Sequence, residues 1–146
     1  MKGSDVAEKL KVGIVGLGAI GTVHAESFAA TGQAELAAIC DTDAAKLAAA
    51  GGKFGVAKRF ADYRELLAED LDAVAVCVGN ALHREVAVAA LEAGRHVLLE
   101  KPMAMNAAEA ADIAAAAEKA GRTLQVAMCH RHAAEPQVVR KYVQAG

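Results

Sequence analysis

The sequence has no tryptophan, and two tyrosines and three phenylalanines are its only aromatic residues. It has two prolines, so no proline-rich linker divides it. Neither sign of charge dominates: 16 Lys and Arg stand against 18 Asp and Glu, a formal net charge of -2. That balance removes the electrostatic case for binding nucleic acid or an anionic membrane surface. No apolar run is long enough to cross a bilayer. The opening stretch, MKGSDVAEKLK, is polar and lacks the apolar core of a secretory signal. A cytoplasmic location is therefore the default expectation. The three cysteines, Cys40, Cys77 and Cys129, are odd in number and lack C-x-x-C spacing. Each sits in or at the end of an apolar run, which predicts buried free thiols. A metal site built from Cys129, His130 and His132 is the alternative, though that spacing is crowded.

What the chain does have is apolar mass and alanine. Its 146 residues are 55% apolar, enough for one domain with a proper core. Alanine is far above ordinary usage, which predicts abundant helix. Strands are expected over 11–16, 34–41, 56–60, 72–78, 96–100 and 123–129. Helices are expected over 19–31, 43–50, 62–67, 83–94, 106–121 and 135–144. Asp62 and Asn106 read as N-caps, and Pro136 suits a first helical turn. GGKFG (51–55) reads as the break after the second helix. The strands are nearly continuous apolar runs, as in a parallel sheet covered on both faces. Strand and helix in alternation predict a doubly wound α/β fold of about six strands, order 3-2-1-4-5-6. Residues 1–10 form a polar N-terminal segment and 11–146 one domain, with its last helix within 133–146. Val138, Val139, Tyr142 and Val143 share one face of that helix and are expected to dock onto the sheet.

GLGAIG (16–21) is G-x-G-x-x-G between a strand and a helix, the context in which that pattern binds a dinucleotide. Gly16 permits a tight turn, Gly18 lets the backbone approach a pyrophosphate, and Gly21 lets helix and strand pack closely. Ala19 and Ile20 open the helix, whose free N–H groups and dipole favour phosphate. Asp41 ends the second strand, where a carboxylate can accept from adenosine ribose hydroxyls. It would repel a 2′-phosphate, and no arginine follows closely in DTDAAK. NAD is favoured over NADP. The competing readings are a solvated turn acid for Asp41 and a mere turn for the loop. His24, on the first helix, reads as a packed structural histidine rather than a catalytic one.

In open parallel sheets ligands bind beyond the carboxyl ends of the strands, at the switch in strand order. Those ends here are 16–21, 78–83 and 100–102. Val78, Gly79, Asn80 and His83 are thus cofactor-binding candidates, together with Glu100 and Lys101. In HVLLEKPM (96–103) Pro102 stops the strand, Glu100 can hold Lys101, and Lys101 can donate to the oxygen of a reacting carbon. Lys101 is the catalytic candidate, with Glu100 and Pro102 supporting it. A salt-bridged strand end without chemistry is the alternative.

GIVGLGAIGTVHAESFA, then CD, then YRELLAEDLDAVAVCVGNALHREVAVAALEAGRHVLLEKPMAMNAAEA resemble the N-terminal half of the glucose–fructose oxidoreductase / inositol dehydrogenase (Gfo/Idh/MocA) family. The resemblance implies a Rossmann domain that binds NAD. It also implies that Lys101 contacts nicotinamide and substrate, that Gly16, Gly18 and Gly21 face the pyrophosphate, and that Asp41 meets the ribose. Asn80 and His83 match the family's pattern after the fourth strand. Gly79 departs from it, and a glycine there is expected to loosen the loop. Family enzymes carry a second domain with a mostly antiparallel sheet and a further Asp and His, which supplies the other wall of the active site. Without that wall, little or no dehydrogenase activity is expected. A truncated piece and a designed or reconstructed module are both compatible with the sequence. A homodimer through the uncovered surface is expected. The competing enzyme reading is a minimal NAD-dependent dehydrogenase of a polyol or sugar, completed by self-association or a partner chain. A regulatory domain that has lost its nucleotide is disfavoured by the intact loop and Asp41.

Overall fold

The computed structural model describes residues 8–146, so most of the expected polar N-terminal segment lies outside the described residues. Six strands and six helices alternate: β1 (Leu10–Val15), α1 (Ala19–Thr31), β2 (Ala34–Cys40), α2 (Ala44–Phe54), β3 (Lys58–Phe60), α3 (Tyr63–Leu67), β4 (Ala73–Val76), α4 (His83–Glu92), β5 (His96–Leu99), α5 (Ala107–Ala120), β6 (Leu124–Val126) and α6 (Ala134–Ala145). Short 3-10 turns cover Asn80–Leu82 and Cys129–His132. The sheet has the order β3-β2-β1-β4-β5-β6, and every neighbouring pair is parallel. This is the doubly wound Rossmann arrangement expected from the sequence.

Successive strand residues point to opposite faces, and here both faces are buried. Val15, Val74, Val76 and Leu99 pack on one side with Leu66, Leu91 and Ile113 from α3, α4 and α5. Ile14, Ile39 and Ala75 pack on the other with Ala25 and Ala50 from α1 and α2. Two apolar layers therefore share one sheet, which is why the strands read as unbroken apolar runs.

The helix starts follow from their caps. Asp43 Oδ1 accepts from the N–H groups of Ala45 and Lys46 at 2.9 and 3.3 Å. Asp62 Oδ1 accepts from Arg64 N–H at 2.9 Å. Asn106 Oδ1 accepts from Glu109 N–H at 2.9 Å, and Glu109 reaches back to Met105 N–H at 3.2 Å. Each bond satisfies an N–H that the helix itself leaves open.

Three expectations are corrected. The second helix does not break at Gly51 but runs through Gly51 and Gly52 to Phe54, ending at Gly55, where φ is +69°. A Cβ on Gly51 would lie 2.0 Å from Arg59 Nε, whose N–H donates to Val56 O at 2.7 Å. The glycine makes room for that arginine. The apolar face of α6 does not dock: Val138, Val139, Tyr142 and Val143 are 51% to 76% exposed. α6 follows the edge strand and packs on the Cys129–His132 turn, beyond the end of the sheet. Finally, Cys129 is exposed, because β6 ends at Val126 and the thiol falls on that turn. Cys40 and Cys77 are buried, as expected.

Candidate functional site

The glycine loop leaves β1 and turns into α1 beside the end of β4. Gly16 has φ +96°, and a Cβ there would sit 2.5 Å from the Cys77 carbonyl oxygen. A Cβ on Gly21 would sit 1.9 Å from the Gly16 carbonyl oxygen. These two glycines let loop, helix and strand approach one another. Gly18 differs: it has φ −67° and ψ −171°, and nothing lies within 4 Å of an added Cβ. The space over Gly18 is open to a ligand. Gly18 is the N-cap of α1, and no side chain caps the helix. Its first N–H groups, at Ala19 and Ile20, are left without a side-chain acceptor, the arrangement that receives a phosphate.

Asp41 lies at the end of β2 with its side chain 10% exposed. Its Oδ2 accepts from Leu17 N–H at 2.7 Å, and its Oδ1 accepts from Asp43 N–H at 2.9 Å. The carboxylate is aimed by the glycine loop on one side and by the α2 cap on the other, unlike a solvated turn acid. Each oxygen keeps a second lone pair for a ribose hydroxyl. Lys46 Nζ stands 3.9 Å from Oδ2.

Gly16, Gly18, Asp41, Val78 and Gly79 line one crevice of about 570 Å³. Among the further residues that line it, and that the sequence did not single out, are Thr42, Lys46, Tyr63, Arg64 and Leu82. Arg64 lies over the Tyr63 ring at 4.5 Å, and Glu85 anchors both, accepting from Tyr63 Oη at 2.7 Å and Arg64 Nη2 at 3.0 Å. Asp62 as an N-cap was the one local signal that this loop is held in place. Cys40 and Cys77 also line the crevice; burial and then the Asp41 carboxylate push the Cys40 thiol up to about 11. Burial and then the Glu100 carboxylate push the Cys77 thiol up to about 12. Both thiols stay protonated and inert near neutral pH.

At the end of β5, Glu100 is buried and Lys101 is exposed. The two side chains do not pair with each other. Glu100 Oε1 meets His24 Nε2 at 2.9 Å, and Glu100 Oε2 accepts from the Lys101 backbone N–H at 3.0 Å. Glu100 thus holds Lys101 by its backbone and leaves its ammonium free. Lys101 forms no ion pair among the described residues, and it faces open cavities shared with Gln125, Met128 and His132. The Lys101–Pro102 peptide bond is cis.

His83 is wholly buried. Its Nδ1 lies 2.7 Å from Pro102 O and its Nε2 lies 3.1 Å from Val78 O. Both ring nitrogens lie against backbone carbonyls, of which the neutral ring, with one N–H, can donate to only one; the side chain lies beneath the rim and does not face the crevice. It ties the loop after β4 to the Glu100–Pro102 turn. Asn80 is exposed at the start of a 3-10 turn, next to Gly79. Ile20 is 43% exposed and lines the Lys101 side of α1. Cys129, His130 and His132 do not gather: among the described residues no group of three His, Cys, Asp or Glu could hold a metal ion.

The glycine loop, Asp41 and the Glu100–Lys101 turn therefore lie along one rim, at the carboxyl ends of β1, β2 and β5. Residues 10–128 match the model of an oxidoreductase family with an NAD-binding Rossmann fold. The chain belongs to the Gfo/Idh/MocA family. It is 36% identical over 148 aligned positions to the D-glucoside 3-dehydrogenase of Escherichia coli K12, covering 100% of this chain and 42% of that protein. It is 39% identical over 127 positions to the inositol 2-dehydrogenase of Salmonella typhimurium LT2, covering 84% and 38%. Among solved structures, the WlbA dehydrogenase of Bordetella pertussis, in complex with NADH and UDP-GlcNAcA, matches with a TM-score of 0.91 at 35% identity, covering 95% of this chain and 43% of that one. The scyllo-inositol dehydrogenase of Lactobacillus casei, with bound NAD(H) and scyllo-inositol, matches with a TM-score of 0.90 at 27% identity, covering 95% and 42%. The chain spans about two fifths of these Gfo/Idh/MocA relatives. It is an NAD-binding Rossmann domain of that family. No helix among the described residues is long and apolar enough to cross a membrane.

Proposed function

We propose that this chain is the NAD-holding half of a polyol or sugar oxidoreductase, and that alone it binds NAD with little or no turnover. The observation that carries this reading is the shared rim, which joins an open phosphate loop, an aimed ribose acid and a free lysine ammonium. The pyrophosphate would rest over Gly18 and the N–H groups of Ala19 and Ile20. Asp41 would accept from the adenosine ribose. Lys101 would hydrogen-bond the oxygen of the reacting substrate carbon, giving it a proton when that carbon gains hydride and, as the neutral amine, taking the hydroxyl proton when it loses hydride. When bound, the nicotinamide would accept that hydride in the oxidising direction and donate it in the reverse. Lys101 orients and polarises the oxygen, and Glu100 keeps the lysine's backbone in place.

One wall does not enclose a substrate. Lys101 is exposed, and catalysis needs both close positioning and exclusion of water. The test is an assay of the purified chain with NAD and a panel of polyols and sugars, beside Lys101→Ala. The expected result is NAD binding in both and turnover in neither. Turnover in the range of ordinary dehydrogenases, lost in Lys101→Ala, would instead establish the minimal-enzyme reading.

That second reading is favoured by the bare face of α6, where Val138, Val139, Tyr142 and Val143 are exposed together. A second copy covering it would give a homodimer, since exposed apolar patches draw partners. Light scattering at high concentration should report a dimer, and Tyr142→Lys should shift it to monomer. A monomer at every concentration would refute self-association.

A further inference from the structure

His24 and Glu100 are 76 residues apart in sequence and 2.9 Å apart in the fold. Their side chains are 17% and 10% exposed. Placing a carboxylate in such a position costs free energy unless both its oxygens find partners. Glu100 finds two: the His24 ring and the Lys101 backbone N–H. An ionised carboxylate can only accept, so His24 Nε2 carries the hydrogen. His24 sits on α1, the helix whose open N-terminus faces the phosphate position. Its place there is set by the close contact of Gly21 with Gly16. An unbroken set of contacts therefore runs from the phosphate loop through α1 and His24 to Glu100 and the backbone of Lys101.

We infer that His24 is a positioning residue, which through Glu100 couples the phosphate-binding helix to the placement of Lys101. The inference rests on the proposed function for the role of Lys101, but the coupling itself is a property of this chain. Nε2–H donates to Oε1 whether the ring is neutral or protonated. Protonation makes that bond charge-assisted and draws electron density from the carboxylate. Oε2 then becomes a weaker acceptor for Lys101 N–H. The Lys101 amide should therefore sense the charge on His24. The other titratable groups around His24 are Lys101, from the same turn as Glu100, and Cys129 and His132 from the turn after β6, which share its cavity. Cys77 lies near Glu100, and its thiol stays protonated up to about 12. His132 is thus the group to control for.

The experiment is 1H–15N and 1H–13C NMR of the full chain, with and without NAD, over a pH series that follows the Lys101 amide and the His24 ring carbon together. The Lys101 amide should show a pH step whose midpoint equals that of the His24 ring carbon. His24→Gln keeps a donor and removes the charge. It should abolish the step and keep the amide at a hydrogen-bonded shift. His24→Leu should lose the step and, with Oε1 no longer held, let the Glu100 carboxylate turn away from Lys101 N–H, which moves the amide upfield. His132→Gln should leave the step in place. A step that survives in His24→Gln, or vanishes in His132→Gln, overturns the inference. If His24→Leu does not fold, His24→Gln carries the test alone. A His24 ring that does not bond Glu100 in solution would give no step at Lys101, and that result overturns the inference. Failure of the proposed function reads differently: the amides of Gly16 to Gly21 would not move when NAD is added, while the Lys101 step would remain visible in the free chain.

Discussion

One methyl group added at Gly21 and one added at Gly18 should have opposite consequences. In Gly21→Ala the new carbon would lie 1.9 Å from the Gly16 carbonyl oxygen, where 3.0 Å is the floor for such contacts. The neighbour is backbone and cannot swing away. Ordinary overpacking costs about 1–3 kcal/mol, and a backbone clash belongs at the top of that range or above it. Alanine recovers about 1 kcal/mol over glycine inside a helix. The net loss is about 2 kcal/mol or more. Unfolding entropy for a chain of this length is about 0.3 kcal/mol per kelvin, so Tm should fall by about 7 °C or more. Gly18→Ala meets nothing within 4 Å and sits in extended backbone open to any residue. Alanine is a poorer N-cap than glycine by under about 1 kcal/mol, so Tm should move by less than about 3 °C. Its methyl, however, would stand where the pyrophosphate must approach. An overpacking cost of about 1–3 kcal/mol there is about a 5- to 150-fold loss of NAD affinity. Thermal melts followed by circular dichroism, with calorimetric NAD titration of Gly18→Ala, read both effects. A Gly21→Ala protein that melts with the parent, or a Gly18→Ala protein that binds NAD like the parent, would refute the division of labour.

Three further outcomes are expected. Gly79 has φ −61° and ψ 144°, with open space around an added Cβ, so Gly79→Ala should stabilise by about 0.4–1 kcal/mol through the unfolded state, read as a higher urea midpoint. Asp41→Asn turns an amide NH2 toward the N–H of Leu17 or Asp43, at a cost of about 1–3 kcal/mol for the unmet donor. It also removes the charge that repels a 2′-phosphate, so NAD affinity should fall and the preference for NAD over NADP should narrow in paired titrations. The thiols of Cys40 and Cys77 are raised from an ordinary 9.0 to about 11 and about 12, so the unfolded chain ionises first as pH rises. Their contribution to stability is complete below about pH 9 and is lost as pH climbs toward 11 to 12; urea midpoints at about pH 8 and 10.5 should show the decline.

The parallel sheet was legible because its inner strands are covered on both sides. Ile14 and Val15, or Ala75 and Val76, serve opposite apolar layers and so appear as unbroken runs. The bounds of α1 were legible because the glycine loop marks its start and Gly32 its end. The length of α2 was not, because the reason for Gly51 is the Arg59 side chain arriving from β3. Nor was the undocked α6, whose amphipathic face is the same whether or not a surface lies beneath it. At the site, Gly16, Gly18, Gly21, Asp41 and Lys101 could be named from local spacing alone. The partner of Glu100 could not, since His24 comes from another element. The same is true of His83, whose ring lies against carbonyls of two loops, and of Tyr63 and Arg64, which line the crevice from α3. Spacing along the chain shows which groups are present. Contacts across the sheet decide which of them face the ligand.

The most direct test of the central claim is a calorimetric titration of the intact chain with NAD, with NADP as the control. Saturable binding at one site that prefers NAD and is weakened in Gly18→Ala is expected. No binding to either dinucleotide, or binding that favours NADP, would contradict it.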